Sequence, residues 1–202
     1  MVQSFAVEHV IKQYGLEAGA LEIQYIEEFF GEFGRKKAAT EIVERLSDRE
    51  HLIHIIEAPL PDDPGQISPV AFKVGHEIRA DETIPKLADL VRRLDDAVDF
   101  RNRKVLYAWI GGTRRDWRGQ GFFRALSEEQ EAWALANGFD EIVVKTKNKF
   151  YEMRSTLDNL EFQVIKYERH GEDNGESKVY LGKRLDASVL KSHRLSRTVV
   201  QA

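Results

Sequence analysis

The chain contains no cysteine. That removes disulfides, thiolate metal sites and thiol nucleophiles together. It also lacks any apolar run near the ~18 residues that a membrane span requires. Its first residues, Met1-Val2-Gln3-Ser4-Phe5, offer neither a basic n-region nor an apolar h-region, so no secretory signal is expected. An excess of one charge is missing as well. The formal net charge is -4, which gives no global field to recruit nucleic acid or an anionic membrane. The basic runs, Arg114–Arg115 and Lys191 to Arg197, are local. The histidines lie mostly far apart; His51 and His54 are close, but in a run of strand character they point to opposite faces. No metal site is expected. These absences point to a cytoplasmic protein with neither nucleic acid nor membrane as partner.

What is there is an ordinary globular composition. Hydrophobic residues make up 42% and charged residues 32% of 202 residues, enough for one good-sized core. No internal repeat or low-complexity tract divides the chain. Phe5, Val7, Val10, Ile11 and Tyr14 fall at helical spacing and predict an extra N-terminal helix within residues 1–20. Residues 21–26 alternate like a strand, and 27–46 read as one or two helices interrupted near Gly31 and Gly34. His51 to Ala58 and Pro69 to Ile78 read as an antiparallel hairpin around the turn signal of Pro59 to Gly65. Ile84, Leu87, Leu90, Val91, Leu94 and Val98 mark a helix over 83–98. Val105 to Ile110 reads as a strand that Gly111-Gly112 breaks. A helix follows over 122–136, with Gly138 as its C-cap. A strand over 141–146, a helix over 149–159 and strands over 162–168 and 179–184 complete the series. Antiparallel strands followed by strand–helix–strand–helix–strand predict a layered α/β (α+β) domain over 1–184. Residues 185–202 read as a short peripheral tail.

The chemistry concentrates in Val105 to Ala125. A strand runs into Gly111-Gly112, then comes a basic turn, then Arg118-Gly119-Gln120-Gly121-Phe122-Phe123-Arg124 opens a helix. The first turn of a helix has backbone N–H groups without intrahelical partners, and with the positive end of the dipole they favour an anion. Gly119 and Gly121 let a phosphate approach the backbone without an intervening Cβ, and Arg118 can add a full charge. The pattern is not a dinucleotide fingerprint, because Arg124 stands where its third glycine belongs, and no Gly-Lys-Ser/Thr follows to make a P-loop.

Arg118 to Phe123 resembles the Gln/Arg-x-x-Gly-x-Gly/Ala signature of the GNAT superfamily of acetyl-CoA-dependent N-acetyltransferases. The likeness extends over about residues 68–184. Phe72 to Glu77 resembles that family's third strand, Trp109 to Thr113 its fourth, and Lys145 to Phe150 its fifth strand and exit. Gln130, Trp133-Ala134 and Gly138-Phe139 also sit where many members carry similar residues. The resemblance implies a three-layer fold with flanking helices and a mixed, mostly antiparallel central sheet, its fourth and fifth strands splayed. It implies acetyl-CoA as co-substrate and no metal. Coenzyme contacts would come from Gly111, Gly112, Thr113, Arg118, Gly119, Gln120, Gly121, Phe122, Phe123, Arg124 and Asn148.

Three departures matter. Phe123 replaces the last small residue of the signature, and its ring is expected to turn into the core. Leu157 occupies the place of a tyrosine acid found in many members, four residues before Glu161-Phe162 where they carry Gly-Phe. The helix over 83–98 fills what is usually a tight connection. For the proton taken from the amine, Glu77 at the end of the third strand is the candidate base, with His76 in reserve. A strand-end carboxylate facing solvent is the plainer reading of Glu77. A backbone N–H near Ile110–Gly112 would serve the oxyanion. Tyr107 and Trp109 share a face; they wall the acceptor site or pack the core, and Tyr107 is the candidate to replace the missing acid. Trp133 is expected in the core. The acceptor is a small-molecule or protein amine of unknown identity, and homodimerisation stays open. A binding module of the same fold without turnover, and an unrelated nucleotide-binding domain, are the competing readings.

Overall fold

The computed structural model describes residues 8–16, 25–26, 37–194 and 199–201. Its strands are β1 (Val10–Tyr14), β2 (His51–Leu60), β3 (Asp63–Ile78), β4 (Val105–Thr113), β5 (Glu141–Lys147), β6 (Gln163–Glu168), β7 (Lys178–Arg184) and β8 (Val199–Gln201). Its α-helices are α1 (Ala39–Leu46), α2 (Pro85–Leu94), α3 (Phe122–Ala136) and α4 (Tyr151–Asn159). The strands hydrogen-bond in the order β6-β7-β5-β4-β3-β2-β1-β8.

The sheet is mixed and mostly antiparallel. β1–β2, β5–β7 and β6–β7 are antiparallel, whereas β4–β5 and β1–β8 are parallel. β2 and β3 are neighbours joined through Pro61-Asp62 alone, a connection too short for anything but an antiparallel pair. For β3 and β4 the close approaches fix the sense. Arg114 N–H donates to Val70 O at 2.9 Å, and a Cβ on Gly111 would lie 3.1 Å from Phe72 O, one on Gly75 3.3 Å from Tyr107 O. Numbers rise on one strand as they fall on the other. The parallel ladder of β4 and β5 runs from Val105↔Glu141 to Ala108↔Val144, although both strands continue to Thr113 and Lys147.

The chain groups into two units, Met1–Val74 with Ile110–Ser127 and Leu195–Ala202, and Gly75–Trp109 with Glu128–Arg194. In the first, Phe122, Ala125 and Leu126 at the start of α3 pack on Ile11, Ile56 and Ala58 and on Val70 of β3. In the second, Pro85 opens α2 with its fixed φ. Leu87, Leu90, Val91 and Leu94 follow at i, i+3, i+4 and i+7 and bury against Val105, Tyr107, Val143 and Tyr180. Each such side chain contributes about 1.5–3 kcal/mol. The ion pairs of Asp89 with Arg92 and Arg93 on the outer side are screened by solvent and add little. Apolar burial therefore docks α2. The other end of α3 closes at Gly138, φ 73°, where Phe139 N–H returns to Ala134 O at 2.9 Å.

Several expectations need correction. The N-terminal helix within 1–20 is contradicted at Val10–Tyr14, which form β1. Strand pairing with β2 and β8 decides there, and Val10 is 41% exposed while Ile11 is buried, a strand's alternation. Residues 1–7 and 17–20 lie outside the described residues. So do most of the strand expected over 21–26 and the helix over 27–36; Tyr25 and Ile26 are helical. Gly111-Gly112 do not break β4. Gly111 lets Phe72 O approach, so the strand runs on to Thr113. The C-terminal tail is not merely peripheral, because Val189 is buried and Val199–Gln201 adds β8 beside β1. Trp133 is half-buried against Phe139, ring centroids 5.6 Å apart, rather than a core residue. Among the described residues no helix is long and apolar enough to cross a membrane.

Candidate functional site

The turn between β4 and α3 belongs to the first unit. After β4 a 3-10 turn spans Arg115–Trp117, and Arg118 is extended with φ -71° and ψ 159°. Gly119 and Gly121 then take φ 79° and 80°. A side chain in that left-handed region costs about 1–2 kcal/mol per residue, which is why both positions carry glycine. The first α3 bond runs from Ala125 N–H to Gly121 O at 3.0 Å, so the amides of Phe122, Phe123 and Arg124 precede the helical ladder. A Cβ built on Gly119 or Gly121 meets nothing within 4 Å among the described residues. Open space thus lies over a positive helix end. Arg114 to Arg124 holds four arginines against Asp116 alone, and Arg118 Nε lies 3.3 Å from Thr113 O. This arrangement fits a pyrophosphate. Gly111 is exposed, Gly112 and Thr113 are half-buried, and Gln120 is exposed.

The aromatic pair that opens α3 is phased opposite to expectation. Phe122, not Phe123, enters the core; it is 2% exposed, between His9 (5.0 Å) and Trp117 (6.3 Å). Phe123 is half-buried, with the Lys73 ammonium 4.8 Å from its ring. Because the helix begins at Phe122, the residues that follow on its buried face are Ala125 and Leu126, which share a side with Phe122.

The candidate reaction residues lie in the second unit. Glu77, half-buried, accepts from Arg79 Nε at 2.8 Å and Nη2 at 2.6 Å, both on Oε2. His76 is fully buried with Nδ1 2.7 Å from Glu77 O, so that nitrogen carries the proton and donates. Its ring stands edge-on to Tyr107 and Trp109, each centroid 5.6 Å away. Tyr107 and Trp109 do share a face, but Tyr107 is only 8% exposed and packs with the α2 cluster. Leu157 is fully buried, so the position of the family's tyrosine acid holds an apolar core side chain. Asn148 is buried, donates its N–H to Ser177 O at 2.8 Å, and receives Arg154 on Oδ1.

One cluster in this unit was missed by sequence reasoning. Tyr180, fully buried, donates to Glu168 Oε2 at 3.0 Å, and Arg93 Nη1 donates to Glu168 Oε1 at 2.7 Å. Burial pushes the Tyr180 phenol well above its ordinary range, and the Glu168 carboxylate adds to this. Burial alone would raise Glu168, but Arg93, Tyr180 and Lys178 together hold it below the usual carboxylate range. Lys145 stands beside this group, its ammonium lowered by burial and by the charges of Lys178 and Arg93. Only the register Lys145↔Tyr180 brings them together, and no local motif announces a register.

No protein-family model matches the sequence, and no curated protein matches it. Solved structures do. Arabidopsis thaliana NAA60 in complex with acetyl-CoA is 10% identical, with a TM-score of 0.62 over 88% of this chain and 98% of that one. The NatC complex bound to Gag peptide and CoA is 15% identical, with a TM-score of 0.63 over 88% and 99%. The ribosomal-protein-S18-alanine N-acetyltransferase from Escherichia coli is 13% identical, with a TM-score of 0.58 over 88% and 94%. The chain has the fold of the GNAT N-acetyltransferases.

Proposed function

We propose that the protein transfers an acetyl group from acetyl-CoA to a primary amine, directly, in a ternary complex. The observation that carries this reading is the pair of left-handed glycines, Gly119 and Gly121, opening α3 under open space. The GNAT fold and the coenzyme named in two of the neighbouring structures support it. The coenzyme's pyrophosphate would lie on the amides of Phe122 to Arg124, with Gly111 to Thr113, Arg118 and Gln120 beside it. In the reaction the amine nitrogen bonds to the acetyl carbon, the C–S bond breaks, and the thiolate departs with the electron pair. An ammonium must first lose a proton, for which Glu77 is the base, directly or through water. Tyr107 is the candidate donor to the thiolate, since Leu157 cannot serve.

A second reading is a coenzyme-binding module without turnover. Two observations favour it: Leu157 is buried in the acid's place, and Arg79 holds Glu77 in two hydrogen bonds. An assay of free thiol released from acetyl-CoA against a broad amine panel separates the two. Amine-dependent thiol release supports the enzyme. Coenzyme binding with no release above the amine-free rate supports the module.

A further inference from the structure

β7 shows which face of the second unit each side chain takes. Lys183 reaches Glu131 of α3 at 2.8 Å. Tyr180, three residues earlier in the strand, therefore points to the opposite face, the one covered by α2. The register Lys145↔Tyr180 puts Lys145 on that face too, and its ammonium stands 5.9 Å from the Tyr180 ring centroid. Lys145 is also the first residue of β5 beyond the ladder with β4, whose last pair is Ala108↔Val144. It stands where the two strands cease to pair.

The carboxylates around it are already engaged. Arg93 holds Asp89 at 2.6 Å and Glu168 at 2.7 Å. Glu168 also takes the Tyr180 hydroxyl at 3.0 Å and the Lys178 ammonium at 3.5 Å. Lys145 forms no ion pair with any carboxylate among the described residues, yet it shares its surroundings with Lys178 and Arg93. Burial and these like charges lower its pKa. A bound monoanion would relieve that repulsion and supply the missing counter-charge.

We propose that Lys145 is the anion-recognising residue of the acceptor subsite, so that the amine acetylated carries a carboxylate, as a free amino acid does. The assignment rests on the acetyl-transfer reading above. One ammonium matches one carboxylate in charge, and half-buried Trp109, packed against the buried Tyr107–Tyr180 cluster, offers an apolar surface for the rest of the acceptor.

The test is steady-state kinetics on the full chain at saturating acetyl-CoA, following thiol release. Glycine, L-serine, L-methionine and L-glutamate are each compared with the matching α-carboxamide. The expected result is a kcat/KM about tenfold or more higher for the acids. Lys145→Met should abolish that ratio and Lys145→Glu should reverse it, while the KM for acetyl-CoA changes by less than about twofold. Lys145 lies outside the packed core, with its ammonium only partly withdrawn from solvent, and thermal midpoints on the same preparations confirm that the variants fold. Equal use of acids and amides by the wild type would overturn the proposal. So would a raised KM for acetyl-CoA in Lys145→Met with the acid-to-amide ratio unchanged, which would assign the anion to the coenzyme. If no amine releases thiol, the acetyl-transfer reading itself fails and the acceptor assignment goes with it.

Discussion

His193 Nε2 lies 2.9 Å from Glu131 Oε2, the same oxygen that takes the Lys183 ammonium at 2.8 Å. Glu131 and Lys183 are 1% and 4% exposed at their side chains. This buried carboxylate ties α3 to β7 and to His193. Its neighbour Glu128 accepts from the Arg194 N–H at 3.2 Å, so two α3 carboxylates hold residues 193 and 194.

Removing one partner of such a pair leaves an uncompensated buried charge, which costs about 3–5 kcal/mol. Glu131→Ala should lower stability by that amount in urea unfolding. The double variant Glu131→Leu/Lys183→Met should recover much of the loss, because neither charge then remains. A double variant no more stable than Glu131→Ala would show that the ion pair is not what the site requires.

Glu161 has φ 65° at the end of α4, where Phe162 N–H returns to Leu157 O at 3.0 Å. The backbone is in the left-handed region without the residue suited to it. Glu161→Gly should stabilise the protein by about 1 kcal/mol, the relief of left-handed strain less the extra freedom gained by the unfolded chain. Thermal unfolding reads this as a raised midpoint; an unchanged or lowered midpoint contradicts it.

His54 is buried, and its two ring nitrogens make no hydrogen bond among the described residues. Burial, with the charge of Lys73, lowers its pKa to about 4 from 6.5. Above pH ~6.5 both folded and unfolded states are neutral there and the contribution is constant. Between ~6.5 and ~4 the unfolded chain takes up a proton that the folded chain resists, so stability falls by about 3 kcal/mol as pH drops through that window. His54→Leu should flatten the urea-midpoint profile between pH 5 and pH 7. A variant with the wild-type acid slope would assign that slope to other groups.

The glycine turn that opens α3 was legible in the sequence because its signal is local: two glycines and an arginine at a helix start need no distant partner to be read. The order of strands from β2 to β7 was legible for a similar reason, since alternation and turn residues mark each one. What stayed hidden was set by distant pairing. Val10, Ile11 and Tyr14 satisfy a helical spacing, yet β2 and β8 on either side make the segment a strand. Phe122 and Phe123 exchanged roles because the phase of a helix depends on the residue where it begins. The company kept by Lys145 depends on its register with β7.

Gly121 supplies a probe of the cradle itself. Its φ of 80° means that valine would strain the backbone, so lost binding in that variant would not isolate a clash with the ligand. Asparagine tolerates the left-handed region and still places a side chain in the open space over the amides. Gly121→Asn should weaken acetyl-CoA binding by at least about tenfold, or about 1.4 kcal/mol, with a nearly unchanged thermal midpoint. Full affinity in the folded variant would remove this glycine from the phosphate site.

Calorimetric titration of the wild-type chain with acetyl-CoA tests the account most directly. A cradle of helix amides and arginines that receives the pyrophosphate predicts binding in the micromolar range, about -8 kcal/mol, and none of comparable strength for NAD. Absence of binding at coenzyme concentrations near ~1 mM, where even a Kd worth about -4 kcal/mol would register, would contradict it.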